Sequence, residues 1–322
     1  MNLTRTLLSM CLFGAAVTSV QAATIRAADV HPKGYPNVVA VEHMGEKLAA
    51  ATDDRLEIKV FPSGVMGDEK QMIEQAQLGA IDMIRVSMAP VAAILPEIEV
   101  FTLPYVFRDE DHMHQVLDGK IGQEIGDKIT NSANSRLVFL GWMDGGTRNL
   151  ITKQPVLKPE DLRGMKIRVQ GSPVAIDTLK AMGANAVPMG VSEVFSGMQT
   201  GVIDGTENNP PTFVAHNYLP VVKNYTLSGH FIIPELFLYS KAKWDKLSKE
   251  DQQLVTKLAK EAQAEQRQLW ATYNQQSIDK MKAGGVKFHD IDKTAYIEAT
   301  KPIRDKYAAQ HQQLMQAIAD VQ

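Results

Sequence analysis

One helical run near the end of the chain limits its fold more than any other feature. From Ser248 to about Ala283 the sequence has a capping serine, acids Glu250 and Asp251 in the first turn, and Gly284-Gly285 just past the end. These are start and stop signals of a helix. At 1.5 Å per residue, about 35 residues extend roughly 50 Å, more than one lobe of ordinary size is wide. Such a helix is expected to be shared between two packed bodies.

The rest of the chain fits that expectation. From Ala23 onward, short apolar runs alternate with longer helical patterns, the signature of βαβ units and a mostly parallel sheet. Ile25 to Val30 reads as a strand, Tyr35 to Ala51 as a helix, Leu56 to Phe61 as a strand closed by Pro62-Ser-Gly, Asp68 to Leu78 as a helix, and Ile81 to Val86 as a strand. Later, a helix from Ser192 to Thr200 stops at Gly201 before a strand at Val202 to Asp204, so Gln77-Leu-Gly-Ala-Ile-Asp82 is echoed by Gln199-Thr-Gly-Val-Ile-Asp204. Beside the matching strand-helix-strand order, the echo favours two similar lobes.

Residues 1–22 are expected to be a signal peptide. Arg5 precedes an apolar run from Leu7 to Val20, and Val20-Gln-Ala22 is an acceptable cleavage site before Ala23. The run is shorter than the ~20 apolar residues of a spanning helix. Cleavage would remove Cys11, the one cysteine, which also lacks the small preceding residues of a lipoprotein signal. The expected location is the periplasm. About 300 residues remain, enough for two domains. A net charge of −3 and a pI near 6.3 give no basic stripe for nucleic acid, and there is no second apolar run for a membrane span.

The candidate ligand site is concentrated between Asp144 and Pro211. Arg148 lies in Gly145-Gly-Thr-Arg-Asn-Leu, Arg168 near the end of Met165-Lys-Ile-Arg-Val, and Asn208 in Asp204-Gly-Thr-Glu-Asn-Asn-Pro210. Met165, Ile167 and Val169 alternate with Lys166 and Arg168 as in a strand, and Ser172-Pro173 caps the next helix. Arg168 thus sits at the carboxyl end of a strand feeding a helix, where open α/β sheets bind ligands. Val202-Ile-Asp-Gly reads as a short strand, with Pro210-Pro211 opening the helix after Asn208. The same rule adds His31, Glu69 and Ser87 after the first three strands, with Lys33 nearby. Each residue also has a plainer reading. Arg168 and Arg148 fit surface ion pairs or a loop, Asn208 fits a cap on the helix at Pro210, Glu69 fits a helix first turn, and His31 fits a strand-end histidine.

These segments resemble the substrate-binding proteins of TRAP transporters, the tripartite ATP-independent periplasmic systems. The spacing of Arg148, Arg168 and Asn208 carries the resemblance, as do the words Lys158-Pro-Glu-Asp-Leu-Arg-Gly-Met-Lys-Ile-Arg-Val, Gly183-Ala-Asn-Ala-Val-Pro-Met, Ser192-Glu-Val-Phe and Gly201-Val-Ile-Asp-Gly-Thr-Glu-Asn. It extends from Val30-His-Pro to the last helix. It implies a two-lobed periplasmic binding protein fold of α/β class, a mostly parallel sheet in each lobe and a long helix bridging both. Crossings are expected near Gly145, Pro234 and Thr272, making lobe I residues 23–145 plus 234–272 and lobe II residues 146–233 plus 273–322. The resemblance also implies that Arg168 pairs with a substrate carboxylate, with Arg148 and Asn208 assisting, and that His31, Glu69, Val86 or Ser87, and Val191 line the ligand. Separate membrane subunits would complete the transporter, and the binding protein itself is expected to be a monomer.

Competing chemistries find less support. His112 and His114 in Asp109-Glu-Asp-His-Met-His114 are two apart and face different directions on a helix, so no metal site is expected. No cofactor loop or nucleophile motif occurs, which argues against an enzyme, although acid/base work by Glu69, His31 and Glu207 is conceivable from residue type. A ligand-sensing partner of a membrane receptor would share every residue named. Trp142, Trp244 and Trp270 suit core or hinge packing better than sugar stacking. Glu69 and Glu207 would repel a second carboxylate and accept from hydroxyls, which favours a sugar acid. The words His31-Pro-Lys-Gly-Tyr-Pro, Phe101-Thr-Leu-Pro-Tyr-Val-Phe-Arg-Asp and Glu207-Asn-Asn-Pro look most like TRAP proteins for hexuronates such as glucuronate and galacturonate. A C4-dicarboxylate is the alternative.

Overall fold

The computed structural model describes residues 22–322, so the signal peptide expected over residues 1–22, with Cys11, lies outside the described residues but for Ala22. The strands are β1 Ala23–Ala28, β2 Leu56–Phe61, β3 Met83–Ser87, β4 Leu137–Met143, β5 Thr147–Thr152, β6 Lys166–Val169, β7 Asn185–Pro188, β8 Gly205–Asn208, β9 Asn224–Ile232, β10 Glu235–Ser240 and β11 Lys287–His289. They form two sheets, ordered β2-β1-β3-β10-β4 and β11-β9-β5-β8-β6-β7. Helices cover both, giving two lobes of α/β class.

The sheets are mostly parallel as expected, and each holds one reversed strand, β10 in the first and β5 in the second. In the first, β2, β1 and β3 run parallel, whereas β10 is antiparallel to β3 and β4. In the second, β7, β6 and β8 run parallel, whereas β5 is antiparallel to β8 and β9. The antiparallel strands are those in which the chain changes lobes. β4 leads through Asp144-Gly145-Gly146 into β5, and β9 leads through Ile233-Pro234 into β10. These passages need no crossover helix, so the alternating pattern did not reveal them.

The strand expected at Val202–Asp204 begins three residues later, at Gly205. Asp204 serves as a brace instead: its N–H donates to the Lys166 carbonyl at 2.8 Å and its carboxylate accepts from the Lys166 N–H at 2.8 Å. The first lobe repeats the device, with Asp82 N–H donating to the Arg26 carbonyl at 3.1 Å and its carboxylate accepting from Arg26 N–H at 2.9 Å. The hexapeptide echo is therefore structural. In each copy a glycine with positive φ, Gly79 at 76° or Gly201 at 80°, stops the helix before the brace.

The long helix runs from Lys249 to Ala283, with the Ser248 hydroxyl accepting from Asp251 N–H at 3.0 Å. Val255, Leu258 and Ala262 pack with Met44, Leu140 and Phe237 of the first lobe. Met281 packs with Phe213, Tyr218 and Tyr225 of the second. Those contacts are about 39 Å apart along the axis, so the helix bridges both lobes. At the C-terminus, helix Thr294–Ala308 lies against helix Pro173–Ala181. The final helix, Gln312–Asp320, turns back to the segment after β3, where Arg108 and His112 donate to its terminal carbonyls, including Ile318 at 2.9 Å from His112 Nε2. No helix among the described residues is long and apolar enough to cross a membrane.

Candidate functional site

Three strands of the first lobe carry apolar side chains on one face until they reach the cleft, where charges replace them. Ile25 and Ala27 lead to Asp29, Met83 leads to Arg85, and Tyr239 and Phe237 lead to Glu235. The three charges meet. Arg85, 2% exposed, donates Nε–H to Asp29 at 2.9 Å and Nη1–H to Glu235 at 2.6 Å and Glu69 at 3.4 Å, while its Nη2 contacts Asp29 and His31 Nδ1. His31 Nδ1 also lies 3.1 Å from Asp29 Oδ1, and its Nε2 is 3.5 Å from Thr212 Oγ1 in the other lobe. Burial would raise the Asp29 carboxyl, but Arg85 and His31 hold it well below the usual range. Burial, with Arg85 opposing and Glu69 reinforcing, pushes Glu235 up to about 7.

The second lobe supplies the opposing wall. Arg148 on β5 is diagonal to Glu207 on β8, because Leu150 is the residue directly opposite Glu207. Its Nε donates to Glu207 at 2.5 Å, its Nη2 to the same carboxylate and to the Glu207 carbonyl at 2.9 Å, and its Nη1 to Asn208 Oδ1 at 3.1 Å. Arg168 differs. It is 3% exposed, yet its guanidinium makes one hydrogen bond among the described residues, from Nε to the Met189 carbonyl at 2.7 Å, and no ion pair. Burial accordingly lowers its pKa, whereas Glu207 more than offsets burial at Arg148.

The expected site residues separate into two groups. His31, Glu69, Arg148, Arg168, Val191 and Asn208 line one narrow cavity between the lobes, with about 20 Å³ open to a water-sized sphere. Ser87, Glu207 and Lys33 do not line it. Ser87 is a support, its N–H donating to Glu69 Oε1 at 2.8 Å and its hydroxyl facing Gln170 at 3.5 Å. Glu207 is engaged by Arg148, which donates to both its carboxylate oxygens. Lys33 is exposed at the corner of a turn closed by Tyr35 N–H and the Pro32 carbonyl at 3.1 Å, which directs it outward. The cap on helix Pro210–Ala215 is Asn209, accepting from Thr212 N–H at 2.7 Å, which leaves Asn208 free for the cavity.

Sequence reasoning missed Arg85, Glu235, Asn37 and Tyr35, all cavity residues. Arg85 had a signal, an arginine inside the apolar run Ile81 to Val86. Asn37 lies in the first turn of helix Pro36–Ala51, and its Nδ2 is buried without a partner. Tyr35 stacks on His31 with ring centres 3.9 Å apart and shares a 3.2 Å hydrogen bond with Thr212 across the cleft. The unused polar atoms form a pattern. Among the described residues, Arg168 Nη1 and Nη2, Asn208 Nδ2 and Asn37 Nδ2 have no acceptor, and Glu69 Oε2 and Glu235 Oε1 have no donor. His112 and His114 have separate partners, the Ile318 carbonyl and Asp144, and no metal-ligand cluster occurs among the described residues.

The chain is similar to proteins of one kind. Residues 27–311 match the family of bacterial extracellular solute-binding proteins, family 7. A TRAP periplasmic solute-binding protein from Citrobacter koseri, crystallised with bound D-glucuronate, is 76% identical, with a TM-score of 0.92 over 93% of this chain and 100% of that one. An open, ligand-free structure of a Citrobacter koseri TRAP protein, 74% identical over 92% of this chain and 98% of that one, gives a TM-score of 0.81. At nearly equal identity, the lobe arrangement here is nearer the bound form. A Pseudomonas putida F1 TRAP protein with bound D-glucuronate is 52% identical, with a TM-score of 0.91 over 93% of this chain and 98% of that one. The chain belongs to the family 7 extracellular solute-binding proteins, the periplasmic substrate-binding components of TRAP transporters.

Proposed function

We propose that this protein captures a hexuronate such as D-glucuronate or D-galacturonate, using Arg168 as the carboxylate receptor, and hands it to the membrane subunits of its transporter. The observation that carries the reading is the buried Arg168 guanidinium with no counter-ion among the described residues. Leaving such a charge unpaired costs several kcal/mol. A ligand carboxylate meeting it through two parallel hydrogen bonds removes that cost. Asn208 and Asn37 add donors, and Glu69 and Glu235 add acceptors suited to hydroxyls. A C4-dicarboxylate would bring its second charge onto those acids. The glucuronate-bound relatives support the same class of ligand.

The working cycle is hinge closure. Lobe I comprises residues 23–145 plus 234–272 and lobe II residues 146–233 plus 273–322, whose last helix reaches back onto lobe I. Residues 1–22 direct export and are removed, and the periplasmic protein acts as a monomeric binder that leaves its ligand chemically unchanged.

The full chain, expressed for export and purified from the periplasm, should begin at Ala23 by intact mass. D-glucuronate or D-galacturonate at ~1,000 times its dissociation constant should stabilise it by about 4 kcal/mol in a thermal-shift assay. Arg168→Ala should weaken binding at least about a thousandfold without lowering the melting temperature of the free protein. Wild-type affinity in that variant would sink the receptor assignment. A thermal shift with succinate or malate and none with uronates would overturn the sugar-acid reading.

A further inference from the structure

The cavity is polar in a directional sense. Its second-lobe wall has unused donors, the Arg168 cation and Asn208, whereas its first-lobe wall has unused anionic acceptors, Glu69 Oε2 and Glu235 Oε1, beside one uncharged donor, Asn37 Nδ2. Arg85 stands on the acidic wall and does not reverse its sign. Its donors are directed to Asp29, Glu69, Glu235 and His31, so one guanidinium serves three carboxylates. Asp144, which also lines the cavity, is held by His114 at 2.7 Å, with Arg267 at 3.8 Å. No cation on the first-lobe wall is left to receive an anion.

We infer that Glu69 and Glu235 are the charge filter of this site, admitting acids with one carboxylate and hydroxyls at the far end while excluding the matching diacids. The inference rests on the hexuronate reading and deepens it. A hexuronate whose carboxylate docks on Arg168 presents ring hydroxyls to Glu69 and Glu235, which accept from them. Oxidising its far carbon to a second carboxylate gives a hexarate. That change replaces a donor by an anion facing two acids in a closed space, where like charges are poorly screened. A hexarate has one more oxygen atom than its hexuronate and, without the aldehyde that closes the ring, is an open chain, so variants that change charge but keep the site's shape separate the two causes. Discrimination by charge can be much larger than discrimination by a methylene-sized change in shape.

The test is calorimetric titration of the periplasmic protein at pH 7.5 with D-glucuronate and D-glucarate, in wild type, Glu69→Gln and Glu235→Gln. Glutamine keeps the shape and an acceptor oxygen but removes the charge. Wild type should prefer glucuronate at least a hundredfold. Each variant should narrow that ratio at least tenfold, chiefly by binding glucarate more tightly, and the two variants check each other should one fold poorly. Glucarate binding wild type within tenfold of glucuronate would overturn the filter, as would variants that weaken both ligands equally. Failure of wild type to bind glucuronate, with the protein folded by its melting curve, would overturn the underlying hexuronate reading, and the filter with it.

Discussion

Matched by strand pairing, the two lobes bury the same ion pair with its charges exchanged. β3 in the first sheet corresponds to β8 in the second, and β10 corresponds to β5. Arg85 then falls on Glu207 and Glu235 on Arg148, each pair joined diagonally between antiparallel strands at the cleft. Ala28 falls on Arg168 and Val86 on Asn208, so these strands present free donors in the second lobe, whereas the first lobe's unused donor, the uncharged Asn37 amide, comes from a helix. The shared frame decides where charges can be held at the cleft. The residues placed on it decide the sign each lobe presents, and hence which end of a ligand each lobe takes.

The largest effect should come from breaking one pair. Glu207→Leu leaves Arg148 buried without its partner and should cost about 3 to 5 kcal/mol in urea unfolding, while adding Arg148→Met should recover most of the loss. Arg85→Met in the other lobe gathers three carboxylates without a cation and should cost at least as much. Equal stability of Glu207→Leu and wild type would show that the two pairs are not equivalent in burial. A smaller effect sharpens the asymmetry. A Cβ at Gly205 would overlap the Ile151 carbonyl oxygen, whereas the corresponding residue of the first lobe is Met83. Gly205→Ala should therefore cost about 1 to 3 kcal/mol, and a neutral result would mean that β8 and β5 can move apart freely.

The smallest effect concerns pH. Burial holds His230 down at about 4 and His216 at about 3, and lowers His31, so these imidazoles stay neutral in the folded protein. Unfolded histidines protonate near pH 6.5. Below that pH the unfolded chain binds more protons, so stability falls as pH falls. Glu235 acts in the opposite sense, because its raised pKa lets the folded state take a proton first as pH drops through about 7. His43 and His114, raised by Glu265 and Asp144, act in the same sense as Glu235, so the slope is a balance, and His230→Gln should improve stability at pH 5.5 relative to pH 7 by about 1 kcal/mol compared with wild type. An unchanged slope in that variant would remove His230 from the account.

Much of this could be read from the residues. The long helix, the alternation and the hexapeptide echo depend on apolar period and on glycine stops, which are local signals. β8 was displaced because Gly-Thr-Glu-Asn has no apolar side chain, and its burial comes from polar groups that find partners only across the sheet. Nothing local to Glu207 reveals its partner, because Arg148 lies diagonal on a strand 59 residues away in sequence. Arg85 was legible as an oddity in an apolar run. Its three acidic partners come from three separate segments, and only the fold assembles them.

Trp270 has a further consequence. It lies midway along the bridging helix, edge-on to Tyr35 at 5.9 Å, and a Cβ on Gly146 would come within 2.7 Å of its ring. The other two tryptophans are packed within the first lobe, Trp142 beside Phe139 at 4.6 Å and Trp244 beside Tyr239 at 5.3 Å. Trp270 has neighbours on both sides of the passage between lobes, Tyr35 and Gly146. The protein thus carries an intrinsic optical gauge of its own closure, one emitter whose surroundings change as the lobes part and two that serve as an internal reference.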